Sequence, residues 1–269
     1  MGNGIAQVAA CCGMEVTMVD IKQEFLDRGT SAISNSLDKL VSKERMSREE
    51  ADSAFSRIAS SVDLESLSDC DLVVEAIPEI PELKFSTFSR LDSICKPKAI
   101  LASNTSSISI NEIASHTNRA DRVIGMHFMN PVPIMKLVEI INGSETSEEV
   151  ASEVVQASEQ MGKIPLSCSD SPGFVSNRIL MPMINEAILT LQAGVAEPEA
   201  IDGIMKLGMH PPIGPLALAD LIGLDTVLHI MNVLQEGMGS DKYSPAEMLV
   251  EMVEDGKLGR KSGSGFYQY

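Results

Sequence analysis

Residues 122–141, RVIGMHFMNPVPIMKLVEII, decide the fold class. Arg122–Phe128 and Lys136–Ile141 are near-continuous in apolar residues, as strands covered on both faces must be, and Pro131 and Pro133 turn the chain between them. Similar runs precede them at Glu15–Asp20 (EVTMVD), Asp71–Ala76 (DLVVEA) and Ala99–Asn104 (AILASN). A long polar helical region, Gln23 to Ser56, separates the first two. Alternation of strand and helix predicts a mostly parallel α/β sheet through residue 143.

After Pro172 the pattern is helical only. In Ile179–Leu191, the residues Leu180, Ile184, Ala187, Ile188 and Leu191 form a stripe of period 3.6, and Asp220–Leu234 reads as a further helix. Gly173, Gly194, Gly208 and Gly214 punctuate this half. A boundary falls within residues 165–172, giving an α/β domain over 1–168 and a smaller all-α domain over 169–269.

The chain's 269 residues carry 21 Lys plus Arg against 38 Asp plus Glu, a net charge of −17. Such a surface repels nucleic acid and anionic membranes, so neither is an expected partner. Apolar stretches are interrupted well before the ~18 residues of a membrane span. Trp is absent and aromatics make up 4%, which argues against base-stacking platforms. Five cysteines, an odd number without CxxC spacing, read as reduced thiols rather than disulfides or a metal site. No histidines have zinc-ligand spacing, so no metal is expected. Sixteen methionines suit adaptable packing in a core or subunit interface.

Met1–Ala10 reads as a helix starting at residue 2 or 3, with Gly13 as its cap and a strand ending at Asp20 behind it. In a dinucleotide fold, G-x-G-x-x-G joins the first strand to such a helix, and an acidic residue about 20 positions on binds the ribose hydroxyls. Gly2 corresponds only to the third glycine of that fingerprint.

Read whole, the chain resembles the 3-hydroxyacyl-CoA dehydrogenase family, notably its bacterial 3-hydroxybutyryl-CoA type. The resemblance is carried by Met1–Gln7 (MGNGIAQ), Asp71–Ala76, Ser103–Ser107 (SNTSS), Gly125–Val132 (GMHFMNPV), Met135–Glu139 (MKLVE), Asp170–Arg178 (DSPGFVSNR), Gly214-Pro215 and Gly263–Tyr267 (GSGFY), in family order over the full length. It implies a Rossmann-like domain followed by a helical one, a homodimer, a cytoplasmic location, and NAD-dependent oxidation of (S)-3-hydroxyacyl-CoA in fatty acid or butanoate metabolism. The family begins with one further strand and G-x-G. Their absence leads us to expect that protein made strictly from Met1 folds poorly or binds NAD weakly, and that the coding sequence continues upstream, with room there for a targeting segment.

The resemblance assigns His127 as the base and Glu139 as its partner. An imidazole with pKa near 6.5 suits removal of a hydroxyl proton, and a carboxylate holds the other ring nitrogen in one tautomer. It directs Ser106 and Asn177 at the substrate oxygen. Ser106 also reads as a helix N-cap, and Asn177 as a polar helix face. Gly2, Asp20, Glu79, Lys84, Ser106, Asn130 and Lys261 fall at cofactor-contacting positions. Asp20 favours NAD over NADP by repelling a 2′-phosphate, although a strand-end Asp also caps a following helix. Taken alone, Glu79, Lys84, Asn130 and Lys261 look like ordinary surface or turn residues. Ser36, Lys43 and Ser106 fall at CoA-contacting positions, with Lys39 and Arg45 completing a local basic cluster that reads equally as a solvated helix face. Of the other histidines, His116 reads as solvated, His210 lies in a Met-His-Pro-Pro turn, and His229 reads as a core residue.

Two alternatives stand beside this reading: a truncated, non-catalytic paralogue, and a β-hydroxyacid dehydrogenase-like enzyme with a lysine base.

Overall fold

The computed structural model describes every residue from Met1 to Tyr269, in two compact units, Met1–Asp170 and Ser171–Tyr269. In the first unit, helix α1 (Gly2–Cys11) ends at Gly13, whose φ of +95° suits only glycine, and the chain enters strand β1 (Val16–Val19). The polar region beyond it is two helices, α2 (Gln23–Ser42) and α3 (Arg48–Ser56). A reciprocal capping box between Ser47 and Glu50 starts α3. There follow β2 (Ile58–Ser61), β3 (Leu72–Glu75), α4 (Pro81–Ile94), β4 (Ile100–Ser103), α5 (Ile110–Ser115), β5 (Val123–Phe128), β6 (Leu137–Asn142), α6 (Glu148–Gln160) and β7 (Ile164–Ser169).

All five apolar runs are strands, and their register arranges them as two sheets. β1 pairs in parallel with β2, and β3-β4-β5-β6-β7 form the second sheet, parallel except between β5 and β6. β5 is its middle strand and is buried along its whole length. Strands β2 and β7 carry no long apolar run: IASS and IPLSCS lie at sheet edges, where half-exposed serines and Pro165 are tolerated. One core cluster joins Ile5 and Val8 of α1, Ile100 of β4, Ile124 and Met126 of β5, Val138 and Ile140 of β6, and Val150 and Val154 of α6.

The second unit is helical: α7 (Ser176–Gln192), α8 (Pro198–Met209), α9 (Pro215–Ile222), α10 (Leu224–Met238) and α11 (Glu247–Glu254). Met181, Ile184 and Ile188 of α7 pack with Leu216 of α9 and Leu224, Val227, Met231 and Leu234 of α10. The single helix expected over Asp220–Leu234 is instead two, bent by 98° at Gly223, whose φ of +102° breaks the helix. The core reading of His229 is also overturned. The buried stripe of α10 runs through residues 224, 227, 230, 231 and 234, and His229 falls on the exposed side. No single helix is long and apolar enough to cross a membrane, and all five cysteines are free.

Candidate active site

In the antiparallel ladder of β5 and β6, His127 lies directly opposite Glu139. Paired residues on neighbouring strands share a face, so the register alone places imidazole and carboxylate together. The His127 Nδ1 to Glu139 Oε2 distance is 2.9 Å, and both residues are buried. A carboxylate only accepts, so Nδ1 carries the hydrogen of this contact and Nε2 is the ring nitrogen that does not face Glu139. Two further groups fix this corner. Asn104 Oδ1 accepts from the Phe128 N–H at 2.8 Å. The buried Lys163 ammonium donates to the carbonyls of Val132 (2.5 Å) and Met135 (2.9 Å), clamping the turn between β5 and β6. Burial without a countercharge pushes the Lys163 pKa down.

Ser106 belongs to a turn after β4 that is gathered around one carboxylate. Glu79 Oε1 accepts from Thr105 Oγ1 at 2.5 Å, from the N–H groups of Ser106 (2.9 Å) and Ser107 (3.0 Å), and from their hydroxyls at 3.3 and 2.9 Å. Its Oε2 lies 3.2 Å from Lys84 Nζ. Burial alone raises the Glu79 pKa, but the Lys84 charge and the turn's donors together outweigh it, so the carboxyl titrates below its ordinary 4.5. A depressed folded-state pKa contributes stability that is present above the ordinary value and lost as pH falls through the folded one. Stability of the wild type is therefore expected to fall more steeply between about pH 5 and pH 3 than that of Glu79→Gln, measured by denaturant unfolding.

The surface reading of Lys84 is overturned: its side chain is 1% exposed, paired with Glu75 Oε1 at 2.7 Å. Position 84 sits one turn into α4, which Pro81 starts, and faces inward with Phe88 and Leu91. The helix N-cap is Ser109, whose hydroxyl accepts from the Glu112 N–H, and not Ser106. Asp20 is exposed at the end of β1 and accepts only from the adjacent Ile21 N–H, while Lys22 takes the N-cap of α2 without a side-chain cap. Asn130 is exposed in the turn after β5. Ser36 is half-buried on α2, and Lys43 caps its C-terminal end, exposed like Lys39 and Arg45. His116 stacks on Phe85 at 4.3 Å between ring centroids. In the second unit, Asn177 is buried in the first turn of α7, and Lys261 is exposed and paired with Asp225.

Sequence reasoning missed Glu75, Asn104, Thr105 and Lys163. Glu75 interrupts an apolar run as a charge that only a buried partner makes tolerable, the one signal available in advance.

A dinucleotide fits the first unit's residues. Helix α1 opens at Gly2 with no acidic residue in its first turn and no side-chain cap, which suits a pyrophosphate. A Cβ on Gly4 would meet Val132 at 2.9 Å, so glycine is needed for the helix to approach the turn that carries Asn130. The exposed carboxylate of Asp20 suits ribose hydroxyls.

Residues 1–171 match the family model for the 3-hydroxyacyl-CoA dehydrogenase NAD binding domain, and residues 173–269 match that for its C-terminal domain. A Deinococcus radiodurans protein named "Probable 3-hydroxybutyryl-CoA dehydrogenase" is 58% identical over 269 residues, covering 100% of this chain and 96% of the relative. The 3-hydroxybutyryl-CoA dehydrogenase of Bradyrhizobium diazoefficiens is 49% identical, with coverage of 100% and 92%. Among solved structures, the (S)-3-hydroxybutyryl-CoA dehydrogenase of Ralstonia eutropha superimposes with a TM-score of 0.98 at 50% identity, covering 100% of this chain and 95% of that one. None of these similarities supports a truncated, non-catalytic paralogue. With a domain built for a nicotinamide dinucleotide joined to a helical domain, the chain belongs to the 3-hydroxyacyl-CoA dehydrogenase family and is an oxidoreductase.

Proposed function

We propose that the chain oxidises (S)-3-hydroxyacyl-CoA, with 3-hydroxybutyryl-CoA as its principal substrate, to 3-oxoacyl-CoA with NAD, and in reverse reduces acetoacetyl-CoA, within fatty acid or butanoate metabolism. The observation that carries it is the 2.9 Å His127–Glu139 contact. When bound, oxidised NAD supplies the hydride acceptor for C3. His127 Nε2 removes the 3-hydroxyl proton, and Glu139 stabilises the imidazolium so formed. The proposal gives Ser106 and Asn177 the task of donating to the substrate oxygen, which lowers the energy of developing charge. Gly2, Asp20, Glu79, Asn130 and Lys261 are proposed to serve the dinucleotide, Lys84 acting through Glu79, and Ser36, Lys43 and Ser106 to serve CoA.

The test is oxidation of NADH, followed by absorbance, on mixing with acetoacetyl-CoA. Turnover of this thioester well above that of free hydroxyacids supports the proposal, and the reverse order favours a β-hydroxyacid dehydrogenase. NADH is expected to be preferred over NADPH. Asp20→Ala should raise the KM for NADH roughly tenfold or more, the value of a charged hydrogen bond, and narrow the preference.

We also propose a homodimer formed through the second unit. Ile179 and Met183 recur one turn apart on α7, and Ile204 and Leu207 likewise on α8, all exposed. Apolar side chains so arranged suit a second copy of the chain. Light scattering at micromolar concentration reports the mass.

A further inference from the structure

Glu75 ends β3 and has no place in the chemistry described, yet both oxygens of its buried carboxylate are engaged. Oε1 accepts from Lys84 Nζ at 2.7 Å and from the Ile77 N–H at 2.6 Å, and Oε2 accepts from Ser103 Oγ at 2.6 Å. It thereby joins the end of β3, helix α4 and the end of β4 at one point. Ser103 Oγ in turn accepts from the Thr105 N–H at 3.2 Å, and Lys84 reaches Glu79. Two chains of contacts therefore run from Glu75 to the Thr105–Ser107 turn, one through Ser103 and one through Lys84 and Glu79.

Charge makes the arrangement specific. Two carboxylates share one ammonium, and the Glu75 and Lys84 side chains are each 1% exposed. Buried ion pairs are poor devices for stability, because apolar side chains of similar volume serve as well or better. The pair stands at the carboxyl ends of β3 and β4, where open α/β sheets bind their ligands. With Lys84 divided between two acids, Glu79 Oε1 is left to the five donors of the turn. Were Glu75 neutral, its hold on Lys84 would weaken, and the ammonium would pull the Glu79 carboxylate away from those donors.

We infer that Glu75 is a positioning residue for the reaction: through Lys84–Glu79 and through Ser103 it holds the turn carrying Ser106 in one pose at the dinucleotide end of the sheet. The side chain touches neither substrate nor cofactor in this role. It sets the geometry of groups that do.

Glu75→Gln is the direct test, because the amide nearly conserves shape and keeps an acceptor for Lys84. Steady-state rates are measured with NADH and acetoacetyl-CoA varied in turn, alongside circular dichroism. The expected result is a KM for NADH raised about tenfold, with the KM for acetoacetyl-CoA, which Ser106 also serves, raised by a smaller factor. Loss of folded protein alone lowers kcat and moves neither KM. Ser103→Ala removes one tie without stranding a charge, and should show the same split at a smaller size. A folded Glu75→Gln with both KM values within about twofold of wild type overturns the inference. So does an unchanged Ser103→Ala if Glu75→Gln does not fold. Wild-type turnover of acetoacetyl-CoA, on which this role rests, is the control. An inactive wild type would sink the dehydrogenase proposal itself, whereas an active one with unaffected variants would sink only the role of Glu75.

Discussion

His127→Gln is expected to lower kcat for acetoacetyl-CoA reduction by about 10²–10⁴-fold near neutral pH, the range that a positioned general acid–base group supplies. The substitution is chosen for what it keeps. A glutamine amide can donate to Glu139, so the buried carboxylate retains a partner and the β5–β6 ladder is undisturbed. What is lost is a group that exchanges a proton in this pH range. NADH binding, followed by its fluorescence, should change little, which separates a chemical defect from a folding one. Glu139→Gln should reduce kcat less, because the base remains while the carboxylate that stabilises its charged form is gone. A folded His127→Gln with near-normal turnover would remove the assignment of His127 as the base.

The second large effect is on stability. Asp220→Ala should lower the melting temperature on the order of 10 °C. Asp220 is buried in α9, and its carboxylate accepts from the Phe266 N–H at 3.0 Å, the Tyr267 N–H at 2.9 Å and the Tyr269 hydroxyl at 3.1 Å. It pins the C-terminal segment against α9. Gly259 and Gly265 leave the room it needs, since a Cβ on either would come within 2.4 or 2.0 Å of Asp220 atoms. Asp202 makes a second anchor. It accepts from the Leu216 and Ala217 N–H groups at the start of α9 and from the Tyr267 hydroxyl. Burial and the Asp202 charge both push the Tyr267 phenol pKa up, which keeps it a donor. Alanine at 220 leaves the Phe266 and Tyr267 N–H groups without their acceptor, at about 1 kcal/mol or more each, while the exposed Tyr269 hydroxyl turns to water. In a unit of this size each kcal/mol shifts the midpoint by about 4–8 °C. Asparagine, which keeps one acceptor oxygen, should fall between, by calorimetry.

How far the sequence reached can be seen residue by residue. The runs ending at Asn104, Phe128 and Ile141 were legible as strands because strands buried on both faces must be apolar throughout, and those ending at Asp20 and Ala76 because Val and Leu recur in them although they are half-buried. Strands β2 and β7, edge strands whose serines face solvent, meet no such demand and left no signal. The break of α9 from α10 was hidden because one glycine inside an apolar period reads as a tolerated helix residue until its φ is known. His127 and Glu139 could be named from motifs, but spacing alone did not join them. A separation of 12 residues makes a contact only when the turn length sets them opposite each other in an antiparallel ladder.

By itself, the sequence determined the class of fold, the order of its two parts and the residues able to exchange a proton, since apolar periodicity and side-chain chemistry are local properties. Tertiary structure decided which charges are buried and with whom. Lys84 read as surface because a lysine is hydrophilic wherever it stands in a chain. It became interior only when α4 turned it toward Glu75 and Glu79, whose carboxylates make the burial affordable. Partnership of this kind joins residues on different elements, and only the packing of those elements creates it.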